Sequence, residues 1–271
     1  MNPMFDLTGK IAVVTGGSGI LGRTMCIGLA KQGAQVIILD RNPESGEALK
    51  AEILAEGNKA DFFVTDVLDL NILADVRDQI LAKYEKIDIL INGAGGNMPG
   101  ASIQPNQSFF EADIKSIRAV IELNYFGTLY ATRIFAEPMC KRGKGSIINI
   151  SSASAERPLT VVMGYGSAKA AVKNLTQWLA VEFATKYGEG VRVNALCPGF
   201  LLTDQNRFLV ATPEGELSPR GKLIVSNTPM RRLGDPQELL AAIIYLASDE
   251  AGFVTGTTAI VDGGFDAFYG V

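Results

Sequence analysis

The chain has 271 residues, of which 47% are hydrophobic and 20% charged, with a formal net charge of −4. That length and balance suit one large α/β domain with a full core and exclude an intrinsically disordered chain. The sequence contains no histidine. This excludes Ser-His-Asp triads, Cys-His dyads and histidine-ligated zinc, so proton transfer near neutral pH falls to Tyr, Lys, carboxylate, Cys or water.

A β-branched run predicts a first strand over residues 11–15, followed by a helix-length amphipathic stretch over 19–32. A strand over 35–39 and a helix over 43–56 come next, then a strand over 61–64 and a helix over 70–84. The pattern continues with a strand over 87–92, one long helix over 114–141, a strand over 146–151 and a helix over 165–187. Strands over 191–197 and 258–261 flank a last helix over 236–248. Strands this apolar, separated by helices, require a parallel sheet covered on both faces. Right-handed crossovers then predict a doubly wound, Rossmann-type α/β fold with a seven-stranded parallel sheet, in one domain spanning 1–271. A (β/α)8 barrel would need one more strand. Two stretches lack a regular pattern, 95–110 and 204–235, and the second is expected to be a substrate lid within the domain.

Cys26, Cys140 and Cys197 are dispersed and form no CxxC, which suggests neither a zinc knuckle nor a disulfide framework and fits a reducing compartment. No metal site is expected. The mildly acidic balance lacks a basic run, arguing against nucleic acid as a partner. No signal-like start and no apolar run of about 20 residues is present, so a cytoplasmic protein without a membrane partner is expected.

The first strand exits into Thr15-Gly16-Gly17-Ser18-Gly19-Ile20-Leu21-Gly22. Within it Gly17-x-Gly19-x-x-Gly22 has the spacing that lets a pyrophosphate approach the backbone at a helix N-terminus. Asp40 ends the second strand and can accept hydrogen bonds from ribose hydroxyls while repelling a 2′-phosphate. These features predict NAD(H) over NADP(H), although Arg41 next door could pair with such a phosphate. The second signal is Tyr165-Gly166-Ser167-Ala168-Lys169, in which Tyr and Lys share one helix face. A lysine ammonium there is expected to lower the phenol's pKa and make Tyr165 an acid/base without histidine. Ser152 ends the fifth strand 13 residues earlier, on the carboxyl edge where such folds bind ligands.

On these residues the chain resembles the short-chain dehydrogenase/reductase family, with further matches at Asp66-Val67, Asn92-Gly93-Ala94-Gly95, Asn124, Asn194, Pro198-Gly199, Thr203 and Asp262-Gly263-Gly264. The resemblance implies a catalytic set of Asn124, Ser152, Tyr165 and Lys169. It also implies that Asp66 and Val67 contact adenine, that residues 92–95 run along the ribose, and that Thr203 faces the nicotinamide amide. Asn124 would kink its helix and hold a water relaying protons to Lys169. One departure is Ile20, where short members of the family carry glycine; the glycine stands at Gly19, leaving open which N–H groups meet the pyrophosphate.

Within the family, residues 93–99, 198–207 and 212–221 followed by 227–230 resemble the D-mannonate oxidoreductase or fructuronate reductase branch. That likeness implies an oxidoreductase acting on a sugar acid, D-fructuronate and D-mannonate first, in a homotetramer or homodimer. Asn97, Ser152, Arg157 and Arg207 are its candidate substrate residues, the two arginines as alternative ligands of the substrate carboxylate. A gluconate 5-dehydrogenase-like enzyme and a general polyol or 3-oxoacyl reductase are alternatives within the family. A catalytically silent nucleotide-binding scaffold is the alternative outside it.

Overall fold

The chain threads a single seven-stranded sheet in the order β3-β2-β1-β4-β5-β6-β7, every neighbouring pair parallel. The computed structural model describes residues 4–203, 210 and 216–270. The strands are β1 (Ile11–Thr15), β2 (Gln35–Asp40), β3 (Lys59–Val64), β4 (Ile89–Asn92), β5 (Gly145–Ile150), β6 (Val191–Pro198) and β7 (Thr258–Val261). The expected single-domain, doubly wound α/β architecture is the one observed.

Alternate strand residues feed two separate cores. Val14, Ile38, Ile91 and Ile148 pack on one face with Met25 and Leu29 of α1 (Ile20–Lys31) and Leu49 and Ile53 of α2 (Pro43–Ala55). Their chain neighbours Val13, Ile37, Leu90 and Ile147 pack on the other face. There they meet Leu73, Val76 and Ile80 of α3 (Leu70–Tyr84), Phe135 of α5 (Gly127–Arg142) and Leu175 of α7 (Met163–Tyr187). Period-two side chains buried on both faces explain why the strands are continuously apolar in sequence.

Several segments differ from the expected pattern. The predicted helix over 114–141 is two helices, α4 (Ile114–Ile121) and α5, joined by a single wide π turn over Glu122–Phe126. A four-residue helix, α6 (Ala153–Glu156), follows β5. The 204–235 stretch contains a helix of its own, α8 (Pro219–Ser226), and the last predicted helix is a 3-10 turn (Pro236–Leu239) continuing into α9 (Leu240–Ala247). In 95–110 the chain makes short 3-10 turns at Pro99–Ala101 and, overlapping its end, Phe109–Glu111. Among the described residues no helix is long and apolar enough to cross a membrane. The three cysteines are free.

The strand order reverses between β1 and β4, whose carboxyl ends therefore diverge into loops on opposite faces and open a crevice. The chain segments bearing all the sequence motifs leave the sheet at that edge.

Candidate active site

The glycine turn lies directly after β1. Gly16 has a φ of +63°, and a Cβ on Gly22 would stand 2.0 Å from the Gly16 carbonyl oxygen. Both positions therefore require glycine, the first for its backbone and the second for the approach of α1 to the turn. The helix opens at Gly19, the N-cap, without a side-chain cap, the condition in which first-turn N–H groups can serve an anion. Ile20 is thus the first helical residue, and the glycine shifted to position 19 serves as the cap. Ser18 shares a hydrogen bond with Ser45 at 2.8 Å. The Asp40 carboxylate stands beside the turn, accepting the Ser18 N–H and the Asn42 N–H at 3.2 Å each. Arg41 is exposed. This cradle, narrow at the backbone and bordered by one carboxylate, fits a dinucleotide.

Opposite it, Gly93 and Ala94 donate their N–H groups to Thr15 Oγ1 at 3.2 Å, binding the loop after β4 to the end of β1. The Asn92 side chain lies away from this loop. Its Nδ2 donates to Thr132 Oγ1 at 2.8 Å and Asn149 Oδ1 at 2.7 Å, and the side chain is buried between α5 and β5. Its side chain links β4 to α5 and β5. Asp66 is exposed and accepts the Leu68 N–H, while Val67 is buried. Asn97 is exposed and donates to Ser102 Oγ at 2.9 Å. Thr203 and Gly199 are half-buried in the strand exit after β6.

The catalytic candidates converge. Asn124 is fully buried in the π turn; its Nδ2 donates to the carbonyls of Gly96 (2.7 Å) and Val120 (2.8 Å), and its Oδ1 accepts the Gly96 N–H at 3.1 Å. The wide turn is what presents this amide sideways to the 93–96 loop, as π-bulges at functional sites commonly do. Lys169 is buried, 3% exposed, and its Nζ donates to the Ile150 carbonyl at 2.8 Å and lies 5.6 Å from the Tyr165 ring centre. A side chain on Gly95 would begin 3.2 Å from that Nζ and 2.5 Å from Asn124 Oδ1, so only bare backbone passes over the pair. Ser152 caps α6, its Oγ accepting the Ser154 N–H at 3.2 Å and bonding Ser154 Oγ at 3.0 Å.

Electrostatics departs from expectation. Burial pushes the Tyr165 phenol up; a hydrogen bond with Ser152 pulls it back, and the neighbouring Cys197 adds to the rise. Burial also lowers Lys169 to about 8. The expected lowering of the phenol by lysine does not emerge, because desolvation disfavours the charged form of both groups.

Arg157 does not lie open to a ligand. Its Nε donates to Asp266 Oδ1 at 3.2 Å and its Nη1 to the Phe268 carbonyl at 2.7 Å, while its buried Nη2 has no partner among the described residues, so one of the two alternative carboxylate ligands is engaged in part by its own chain. Arg207 lies outside the described residues. Among the described residues no group of three or more Cys, Asp or Glu gathers as a metal site would require.

Residues 10–214 match the short chain dehydrogenase family. The chain belongs to that family. Related oxidoreductases align with 95–98% of the chain. An uncharacterized oxidoreductase of Bacillus subtilis (strain 168), UxuB, is 42% identical, with 98% of each chain covered. Gluconate 5-dehydrogenase of Gluconobacter oxydans (strain 621H) is 34% identical over 96% of each. The solved structure of a candidate D-mannonate oxidoreductase from Haemophilus influenza with bound NAD superposes with a TM-score of 0.92 at 41% identity over 98% of each chain. The chain is an oxidoreductase of this family acting on alcohol groups.

Proposed function

We propose that the enzyme interconverts a keto sugar acid and its hydroxy acid with NAD(H), D-fructuronate and D-mannonate being the pair that fits best. The observation carrying this reading is the 98% reciprocal coverage and 0.92 TM-score with the NAD-bound Haemophilus protein. The placement of Asp40 against the Ser18 N–H supports NAD(H) over NADP(H), since a 2′-phosphate there would meet a carboxylate.

A nicotinamide bound along the crevice supplies the hydride in reduction and accepts it in oxidation. The residues of this chain do the rest. Ser152 Oγ, at the α6 cap, donates a hydrogen bond to the reacting oxygen. Tyr165 gives the proton to that oxygen in reduction and takes it back in oxidation. Lys169, held by the Ile150 carbonyl, places positive charge beneath the phenol and donates to the nicotinamide ribose hydroxyls. Asn124 fastens the 93–96 loop that forms the ribose wall.

NADH oxidation measured across keto-uronates, keto-gluconates and neutral ketoses tests the substrate. Fructuronate should be preferred by at least about tenfold in kcat/KM, the scale of one charge-assisted contact. Equal rates on a neutral ketohexose would overturn the sugar-acid reading. The likeness to gluconate 5-dehydrogenase makes 5-ketogluconate the second candidate in the same screen. A homotetramer or homodimer in the cytoplasm completes the proposal. It is supported by Trp178 and Val181, more than half exposed on α7, and is tested by light scattering.

A further inference from the structure

Arg157 ends α6, the four-residue helix whose N-cap is Ser152. A helix of one turn has no stability of its own, so the position of the Ser152 hydroxyl depends on what anchors α6 to the rest of the fold. One anchor is the ion pair between Glu156 and Lys173 of α7. The other is Arg157. Its guanidinium grips the segment 262–269 through Asp266 and the Phe268 carbonyl, and its carbon lies 4.3 Å over the Tyr269 ring. This forked and stacked contact, with the arginine side chain 24% exposed, is better built than an ordinary surface pair.

The same segment reaches the other walls of the substrate side. Phe265 meets Phe200 edge to face, with ring centres 5.1 Å apart. A Cβ on Gly199 would stand 2.6 Å from Asp262 Cα, and the Met230 N–H donates to the Gly263 carbonyl at 3.1 Å. Asp262 sets the segment's own turn by accepting the N–H groups of Gly264 at 2.8 Å and Asp266 at 2.6 Å. Three stretches far apart in sequence, the Ser152 turn, the exit of β6 and residues 228–230, thus all rest on one short piece of chain.

We propose that residues 262–269 are the keystone of the substrate side, and that Arg157 is a positioning residue coupling them to the Ser152 turn. The inference uses the catalytic assignment of Ser152 made above but not the identity of the sugar acid. The adenosine half of the cofactor cradle, the glycine turn and Asp40, lies across the crevice on β1 and β2 and has no part in this assembly.

The test compares Arg157→Ala, Arg157→Lys, Asp266→Asn and the Arg157→Ala/Asp266→Asn double variant with the wild type. Amide exchange of the peptides covering 152–157 and 228–231 needs no substrate and should accelerate about tenfold in Arg157→Ala and in Asp266→Asn. The double variant should be no faster than Arg157→Ala, since the two residues act as one contact. With whichever carbonyl the wild type reduces, KM should rise about tenfold while NADH affinity, read by fluorescence titration, stays within about twofold. Arg157→Lys should recover part of the loss. Unchanged exchange in folded Arg157→Ala and Asp266→Asn would overturn the proposal. So would an equal loss of NADH affinity. If the wild type reduces no sugar acid, the substrate reading falls, and the exchange experiment still decides this one.

Discussion

Tyr165 and Lys169 are displaced in opposite directions by one cause, since removal from water favours the neutral phenol and the neutral amine alike. Tyr165→Phe should lower kcat by at least about 100-fold, the usual scale for a positioned acid/base, while NADH titration shows affinity within about threefold. Near-normal turnover would remove Tyr165 as the proton donor. The lysine gives a pH signature. Unfolded, it holds its proton up to its ordinary value of 10.5; folded, it releases the proton near 8. Between these values the unfolded state binds more protons, so the folded state gains stability as pH rises. The stability difference between wild type and Lys169→Met, from urea titrations, should therefore grow on the order of 2 kcal/mol from pH 7 to 10 in the cofactor-free protein. Raised values at Tyr165 and the buried thiols act the other way at high pH but are common to both proteins. A flat difference would mean the ammonium is well solvated. At Asp40, substitution by Ala should collapse the preference for NADH over NADPH, measured as the ratio of kcat/KM values.

At the scale of elements, the π turn is the feature on which the crevice depends. Asn124→Ala removes three hydrogen bonds, two of them to the Gly96 backbone. It should cost about 2–3 kcal/mol in urea unfolding, with a several-fold weaker NADH titration because the ribose wall loosens. The residue pattern of Glu122–Phe126 does not announce this turn; only the family resemblance, which implies a kink at Asn124, pointed to it. Every one of them is compatible with the uninterrupted helix that the 114–141 pattern suggests, and the partner that exploits the turn sits 28 positions away in a loop. The Tyr165–Lys169 pair was legible because i and i+4 are neighbours on any helix. The sign of its electrostatics was not, because sequence spacing says nothing about depth. Arg157 shows the same limit from another side. Its nearness to Ser152 along the chain suggested a substrate ligand, whereas its acidic partner lies 109 positions further on. Strands were legible for a physical reason, burial on both faces, and the glycine turn because a carbonyl 2.0 Å from a would-be Cβ tolerates no other residue at Gly22.

For the whole molecule, the absence of histidine leaves no side chain whose ordinary value falls between about 5 and 8. Unfolding free energies of the cofactor-free protein from urea titrations should therefore vary by less than about 0.5 kcal/mol from pH 5.5 to 7.5. A clear slope in that window would reveal a strongly displaced carboxylate. The seven strands and both helical layers could be anticipated from alternation, but the neighbours of each strand could not, since strand pairing is a long-range choice. That choice has a cost in time. β1 pairs with β2 on one side, about 20 residues downstream, but its other side is closed by β4, more than 70 residues downstream. At roughly 5–20 residues per second, a growing chain carries that β-branched edge unsatisfied for several seconds after β2 has emerged. Translation speed over α2, β3 and α3, rather than any residue of the crevice, then sets how long the nascent protein is open to a wrong partner, and pauses placed there should lower the yield of folded enzyme.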